Sequence, residues 1–207
     1  MSEYKTYNYF DDAPGLVHQY LMPAILELIS GGKTKRILDV GCGNGAVARS
    51  LLAKGFDVYG TDASEPGIAI AKKQHPDRFF VQDLAVEGLP EGLHHLRFDT
   101  IISTEVVEHL YDPRKYVTFC KNVLLEAGGG AFVLSTPYNG HLKNLALSLF
   151  DKWDLHLNPL WDGGHIKFWS RATLTALLTE QGFKVVAFRG CGRAPYLWKS
   201  MVIMAVI

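Results

Sequence analysis

The sequence predicts a doubly wound α/β fold on a mostly parallel sheet of seven strands, and three observations carry that prediction. Short apolar runs alternate with helical patterns along the chain, a glycine-rich loop follows the first run, and acidic residues recur at the ends of the runs. Strand, helix and strand in alternation build parallel sheets, because parallel neighbours need a crossover and the helix supplies it.

The elements follow in order. Residues 35–40 form a short apolar strand, and the helix over 44–54 puts Val47, Ala48, Leu51 and Leu52 on one face before Gly55 stops it. Residues 57–61 are the second strand. Ser64 caps a helix carrying Ile68 and Ala71, and residues 78–82 are the third strand. Residues 98–103 give the fourth strand; Asp112 and Pro113 then start a helix through Val117, Cys120 and Leu124. Gly128 to Gly130 turn the chain into a fifth strand over 131–135. Ser170 caps a helix carrying Leu174, Leu177 and Leu178, which Gly182 ends. Two late strands, 183–189 and about 197–206, complete the seven.

Residues 137–169 exceed an ordinary α/β connection. Leu142, Leu145, Leu149, Phe150 and Trp153 recur at helical spacing over 141–153, so a helical insertion after the fifth strand is expected, either as packing or as a lid over a ligand. Residues 1–207 read as one domain, with 1–34 as an N-terminal helical cap and 137–169 as the insertion.

Composition narrows the class. An apolar content of 48% with 20% charged residues is that of a globular chain, not a disordered one. Twenty-one basic and twenty-one acidic residues cancel, which disfavours nucleic acid as a partner; Arg36, Lys143, Lys152, Lys167 and Arg171 are the residues from which a local groove could still form. Cys42, Cys120 and Cys191 have no CxxC spacing and read as free thiols of a reducing compartment. The opening residues lack the order of a signal peptide, and no apolar run approaches a membrane span, so a cytoplasmic protein is expected. Monomer and homodimer both fit.

The chemistry concentrates in ILDVGCGNGAVA, residues 37–48. Open α/β sheets bind ligands beyond the carboxyl ends of their strands, and the residues there are Asp39, Asp62, Asp83 and the group from Ser103 to His109. Gly41, Gly43 and Gly45 let a ligand approach the backbone. Asp62, about 20 residues beyond the loop, is placed to accept ribose hydroxyls, and Asp83 to take an adenine amino group. Gly41, Gly43 and Ala46 also satisfy the dinucleotide pattern, which keeps an NAD-dependent oxidoreductase as a competitor. Asp39 decides against it: a carboxylate there repels a pyrophosphate and attracts the ammonium of a methionine moiety beside a sulfonium. S-adenosylmethionine is therefore the expected cofactor.

Methyl transfer from a sulfonium is an in-line displacement, and a hydroxyl acceptor must lose its proton. If a helical turn follows the fourth strand, Glu105, Glu108 and His109 share one face at i, i+3 and i+4. Two carboxylates that close require a positive group between them, either a protonated His109 or a divalent ion such as Mg²⁺ or Mn²⁺. His165, in GGHIKFWS, is the candidate fourth ligand. His18, His75, His94, His95, His141 and His156 have no ligand spacing.

ILDVGCGNG, Asp62, Gln82-Asp83 and FDTIISTEVVEHLYDP resemble the seven-stranded S-adenosylmethionine-dependent methyltransferases, most of all the UbiG-like group that O-methylates ubiquinone precursors. The resemblance implies contacts from Asp39, Gly41, Cys42, Gly43 and Gly45 to the methionine end, from Asp62 and Ala63 to the ribose, and from Gln82, Asp83 and Leu84 to the adenine, with Ser103 nearby. Cys42 would pack rather than react. The Glu-x-x-Glu-His group with a later histidine also resembles small-RNA terminal ribose methyltransferases, which use a divalent cation.

Aromatic residues flank these motifs: Tyr4, Tyr7, Tyr9 and Phe10 on one side, Tyr138, Trp153, Trp161, Phe168 and Trp169 on the other. They suit a flat acceptor such as a phenol or quinone precursor, and Tyr7 or Tyr9 is placed to close over the site. The resemblance to enzymes of prenylated substrates adds peripheral membrane contact through the helix over 142–153. Methylation of oxygen is the leading expectation; nitrogen, an RNA end, and a non-catalytic S-adenosylmethionine-binding module are its competitors.

Overall fold

The computed structural model describes residues 9, 11–31, 34–83, 88–161 and 163–207. Tyr4, Tyr7, Phe10 and Leu84 lie outside them. Helix α1 spans Leu16–Ser30, and the alternation follows: β1 Arg36–Val40, α2 Ala46–Leu52, β2 Asp57–Asp62, α3 Glu65–Lys72, β3 Phe79–Val81, β4 Thr100–Thr104, α4 Pro113–Leu125, β5 Ala131–Pro137. After β5 come α5 His141–Leu149 and α6 Trp153–Leu157, then α7 Arg171–Glu180, β6 Lys184–Cys191 and β7 Ser200–Val206. The predicted doubly wound α/β fold is what forms.

The strand order is β3-β2-β1-β4-β5-β7-β6, with only β7 antiparallel to its neighbours. The chain winds outward from β1 through β2 to β3, then returns to add β4 and β5 on the other side, so the order reverses between β1 and β4. That reversal opens the crevice in which such sheets hold ligands.

Alternation along β1 divides the core in two. Leu38 and Val40 pack with Ile101, Phe132, Leu134, Val117 and Leu178 under α4 and α7. Ile37 points the other way, against Leu21, Ile25, Val47, Leu51 and Ile68 of α1, α2 and α3. Asp39 shares the face of Ile37, which gives this carboxylate an apolar setting.

The caps read from sequence are present. Ser64 accepts from the Gly67 N–H at 3.2 Å, Asp112 from Lys115 at 3.0 Å, and Ser170 from Thr173 at 3.2 Å. The insertion differs from expectation, being two short helices instead of one over 141–153. Asp151 between them holds a left-handed backbone with φ of 50°, and the helical ladder stops there. Among the described residues no helix is long and apolar enough to cross a membrane.

Three of the five basic residues considered for a nucleic-acid groove are engaged within the fold. Arg36, at the amino end of β1, pairs with Asp57 at 2.6 Å; Lys143 is buried; Arg171 lies 4.6 Å over the ring of Phe188.

Candidate active site

One cavity of about 2160 Å³ runs from the glycine loop, past the end of β4, to the insertion. Its volume exceeds the roughly 300–1,000 Å³ usual for one small-molecule site, leaving room for two reactants.

The first wall is the loop after β1. The N–H groups of Gly41 and Cys42 both donate to the Thr61 carbonyl, at 2.8 and 3.0 Å, tying the loop to the end of β2. Gly41 has φ of +78°, and a Cβ there would overlap the Val106 side chain, so glycine is what lets this loop touch the segment after β4. At Gly43, with φ of +55°, a Cβ would run into the Tyr9 hydroxyl. Tyr9 is thus the aromatic residue that closes over the loop.

Asp62 and Ala63 line the cavity. The Asp62 carboxylate accepts from the Ser64 N–H at 2.7 Å and the Gly43 N–H at 2.8 Å, which aims it; a carboxylate with two partners keeps further lone pairs for a ligand. Asp83 is half-buried at the end of β3, outside the cavity lining. Gln82 is buried and donates to the Gly88 carbonyl at 2.8 Å.

Asp39 lies beneath the loop instead of at the cavity wall. It is fully buried, and among the described residues neither carboxylate oxygen has a close hydrogen-bond partner. Burial, with Asp62 adding to it, pushes its pKa from 3.8 up to about 7. Cys42 is buried with its sulfur facing Gly60, and burial raises its thiol well above the ordinary range, as suits packing rather than reaction. Ser103 is also buried and donates to the Val40 carbonyl at 2.7 Å, which stitches β4 to β1.

Sequence reasoning missed the clamp on this wall. Asn44 donates through Nδ2 to the Asp11 and Ala13 carbonyls at 3.0 and 3.1 Å, and the Arg49 guanidinium reaches the Asn44 and Asp12 carbonyls. Residues 11–13 are thereby strapped across the loop and the start of α2. The signal was an asparagine inside the glycine loop, which the motif alone marks only as a variable position.

The second wall follows β4. Glu105, Glu108 and His109 do not share one helical face, because Glu105 is left-handed with φ of 55° and only Val107–His109 form a turn, of 3₁₀ type. Glu105 faces β5 and β7: its oxygens accept from Ser135 at 2.8 Å and Ser200 at 3.2 Å. Burial pushes its pKa up to about 7, with the serines and Lys143 opposing.

Glu108 points elsewhere. It is fully buried, Oε2 accepts from Thr136 at 3.0 Å, and among the described residues Oε1 has no hydrogen-bond partner. The Glu108 carbonyl accepts the N–H groups of Ile166 and Lys167 at 2.9 and 3.0 Å, so backbone pairing delivers the segment that carries His165. His165 Nε2 then stands 4.0 Å from Glu108 Oε1, and its ring centroid is 4.9 Å from that of His109.

His109 donates through Nδ1 to the Gly163 and Gly164 carbonyls at 3.0 and 3.3 Å, which leaves the Nε2 lone pair free to act. Burial holds His109 below the usual imidazole range and His165 at about 4. Neither ring therefore supplies the positive charge expected between the carboxylates.

Ligand atoms of Glu108, His109 and His165 lie within 4.8 Å of one another, and among the described residues they are the one group with that property. A buried carboxylate oxygen without a partner beside two neutral imidazoles fits a divalent ion. Glu105 is not part of the group. Two nitrogens and one oxygen suit Mn²⁺ or Zn²⁺ better than Mg²⁺, which prefers oxygen throughout.

Trp161 stacks edge-on with both histidines at 5.7 and 5.6 Å and lines the cavity with Tyr9. Tyr138, Trp153, Phe168 and Trp169 lie outside its lining.

Sheet order, glycine loop and the acids beside it together define a methyltransferase-class domain. A methyltransferase-domain family model matches residues 16–187, and the chain belongs to that family, the seven-stranded S-adenosylmethionine-dependent class its motifs resemble. More particularly, it is 32% identical over 169 residues to the ubiquinone biosynthesis O-methyltransferase of Ruegeria sp. (strain TM1040), covering 79% of this chain and 66% of that protein. Its identity to the protein of the same description from Dinoroseobacter shibae is 33% over 162 residues, covering 76% and 63%. The chain thus spans just under two thirds of the length of these relatives. Magnesium protoporphyrin IX methyltransferase from Synechocystis PCC 6803, solved with bound SAH, shares the fold with a TM-score of 0.64 at 20% identity, covering 90% of this chain and 81% of that one.

Proposed function

We propose that the protein transfers the methyl group of S-adenosylmethionine to an oxygen of a small phenol-like or quinone-precursor acceptor. The observation that carries the reading is that His109 and His165, backed by the buried Glu108, line the same cavity as the glycine loop. Relatives described as O-methyltransferases and a fold neighbour with bound SAH support it.

In this reading the glycine loop with Asp62 and Ala63 holds the donor, Asp83 serves its adenine, and Asp39 acts from below the loop. Tyr9 covers it. The cluster of Glu108, His109 and His165 would hold a divalent ion, which when bound draws phenolic oxygens together and lowers their pKa. His109, whose Nδ1–H is fixed by backbone carbonyls, orients Nε2 toward the cavity and takes a proton there if the site works without metal. Glu105 shapes the floor between the donor and the insertion.

Residues 1–207 act as one unit, with 137–169 as a lid. Phe150, Leu155 and Leu160 line the cavity although 70%, 79% and 93% exposed, an apolar rim suited to the tail of an acceptor or to peripheral contact with a lipid surface. A cytoplasmic setting fits the three buried free thiols. Liposome flotation checks the rim: the protein should rise with anionic vesicles and lose that behaviour on L155S/L160S, whereas no lipid association removes this role.

The reading as a whole is tested by incubating the protein with methyl-labelled S-adenosylmethionine, Mn²⁺ and a panel of catechols, amines and RNA ends. Label on a catechol oxygen is expected. Label on amines or RNA ends alone would move the function to those acceptors.

A further inference from the structure

A second polar cluster lies on the cavity wall beyond Glu105, and neither donor binding nor the three-residue cluster uses it. Lys143 of α5 is buried, its exposure only 5%, yet it lines the cavity. Its ammonium donates to the Tyr138 carbonyl at 2.7 Å and the Lys199 carbonyl at 3.3 Å, which leaves one N–H unspent. Arg193, on the β6–β7 connection, lines the same wall and faces it closely enough that each cation is felt by the other groups there. His156 of α6 completes the cluster, its Nε2 donating to Asn139 Oδ1 at 3.2 Å.

The charge on buried Lys143 is offset only in part, by Glu105, and Arg193 is exposed to solvent. Among the described residues no carboxylate comes within 4.0 Å of Lys143 or Arg193. Glu105, the nearest acid to act on Lys143, spends its oxygens on Ser135 and Ser200. The other groups facing the cluster, Lys199 and the Tyr20 phenol, add no negative charge at neutral pH. Burial, with Arg193 adding to it, pushes Lys143 from 10.5 down to about 8, and burial, with Lys143 and Arg193 adding to it, pushes His156 to about 4. A buried ammonium with an exposed guanidinium on the same cavity wall is stabilised by an anion that arrives with the ligand.

We propose that Lys143 and Arg193 form a subsite for a carboxylate on the methyl acceptor, beside the oxygen that is methylated. The proposal rests on the small-molecule reading above and deepens it. Lys143 and Arg193 bind the carboxylate; His156, its Nε2–H spent on Asn139, borders the subsite without donating to it. An acceptor held at both ends would be fixed in orientation, with its phenolic edge toward His109 and His165.

The test compares 3,4-dihydroxybenzoate with its uncharged near-isostere 3,4-dihydroxybenzamide. Binding of each to the SAH-loaded full chain is measured by calorimetry in EDTA, and turnover is measured separately. The acid should bind roughly tenfold or more tightly than the amide, as for one charge-assisted contact, and R193Q should shrink that ratio to within about threefold, with R193K restoring part of it. K143M is the second variant, with the same direction expected. Equal binding of acid and amide, binding of neither, or a ratio unchanged in R193Q would overturn the subsite. Acid that binds preferentially but is never methylated would instead sink oxygen methylation and leave the subsite standing; equal methylation of both compounds would do the reverse.

Discussion

The two walls of the cavity are built in opposite ways. The donor wall is made of backbone: glycines 41, 43 and 45 in one loop, tied to Thr61 and Asp62 a short distance along the chain, with an acid two residues upstream. The acceptor wall is made of side chains from separate segments: His109 after β4 with the buried Glu108 and Thr136 behind it, Lys143 in α5, His165 late in the insertion and Arg193 before β7. A backbone site can be coded in a dozen consecutive residues. A side-chain site exists only once the sheet has brought its strand ends together. In the proposed function the first kind holds the donor, and the second can change its acceptor without disturbing the fold.

Four perturbations separate the walls. The largest effect should come from H109A and H165A, which remove acceptor-wall groups: turnover should fall by about 10²- to 10⁴-fold while SAH affinity, read by calorimetry, stays within about twofold. Loss of SAH binding in either variant would erase the distinction between the walls. G41A addresses the other side. Its left-handed backbone and the contact with Val106 make any Cβ strained by about 1–3 kcal/mol, so SAH affinity should drop roughly tenfold or more. An unchanged affinity would show that the loop does not carry the donor.

Asp39 gives a pH-dependent contrast. Its folded pKa of about 7 stands above the ordinary 3.8, so between about pH 4 and pH 7 the folded state keeps a proton the unfolded chain has released. Stability from this group is present below that window and is lost as pH rises through it, on the order of 4 kcal/mol in total. D39N should therefore raise Tm of the ligand-free protein at pH 8 more than at pH 4.5, while weakening donor binding. Equal shifts at the two pH values would contradict the burial argument. The smallest effect belongs to N44A, which frees the Asp11 and Ala13 carbonyls at about 1 kcal/mol and should quicken proteolysis near residues 11–15. Cleavage at the wild-type rate would mean the strap holds without it.

The contrast also explains what could be read in advance. The succession of strands and helices, the caps at Ser64, Asp112 and Ser170, the loop and Asp62 depend on neighbours close in sequence, and the chain shows them openly. Glu105 was misplaced because helical spacing says nothing of a left-handed residue, and that one dihedral turns its side chain from Glu108 toward Ser135 and Ser200. Asp39 was identified as important but set at the mouth of the loop. Alternation along β1 puts it on the Ile37 face, beneath the loop. His165 was named as a fourth ligand beside Glu108 and His109, and these three do come together, but the means could not be read: backbone bonds from Ile166 and Lys167 to Glu108 that span more than fifty residues. Lys143 looked like a surface base; its burial depends on carbonyls at Tyr138 and Lys199 that no local pattern reveals.

The central claim is that three side chains from two distant segments make one ion-binding acceptor wall facing the donor loop. Its most direct test is Mn²⁺ titration of the chelator-stripped protein, followed by electron paramagnetic resonance, for the wild type, E108Q, H165A and E105Q. One Mn²⁺ per chain is expected in the wild type and in E105Q, with binding lost in E108Q and H165A. Equal Mn²⁺ binding in all four proteins, or none in the wild type, would contradict it.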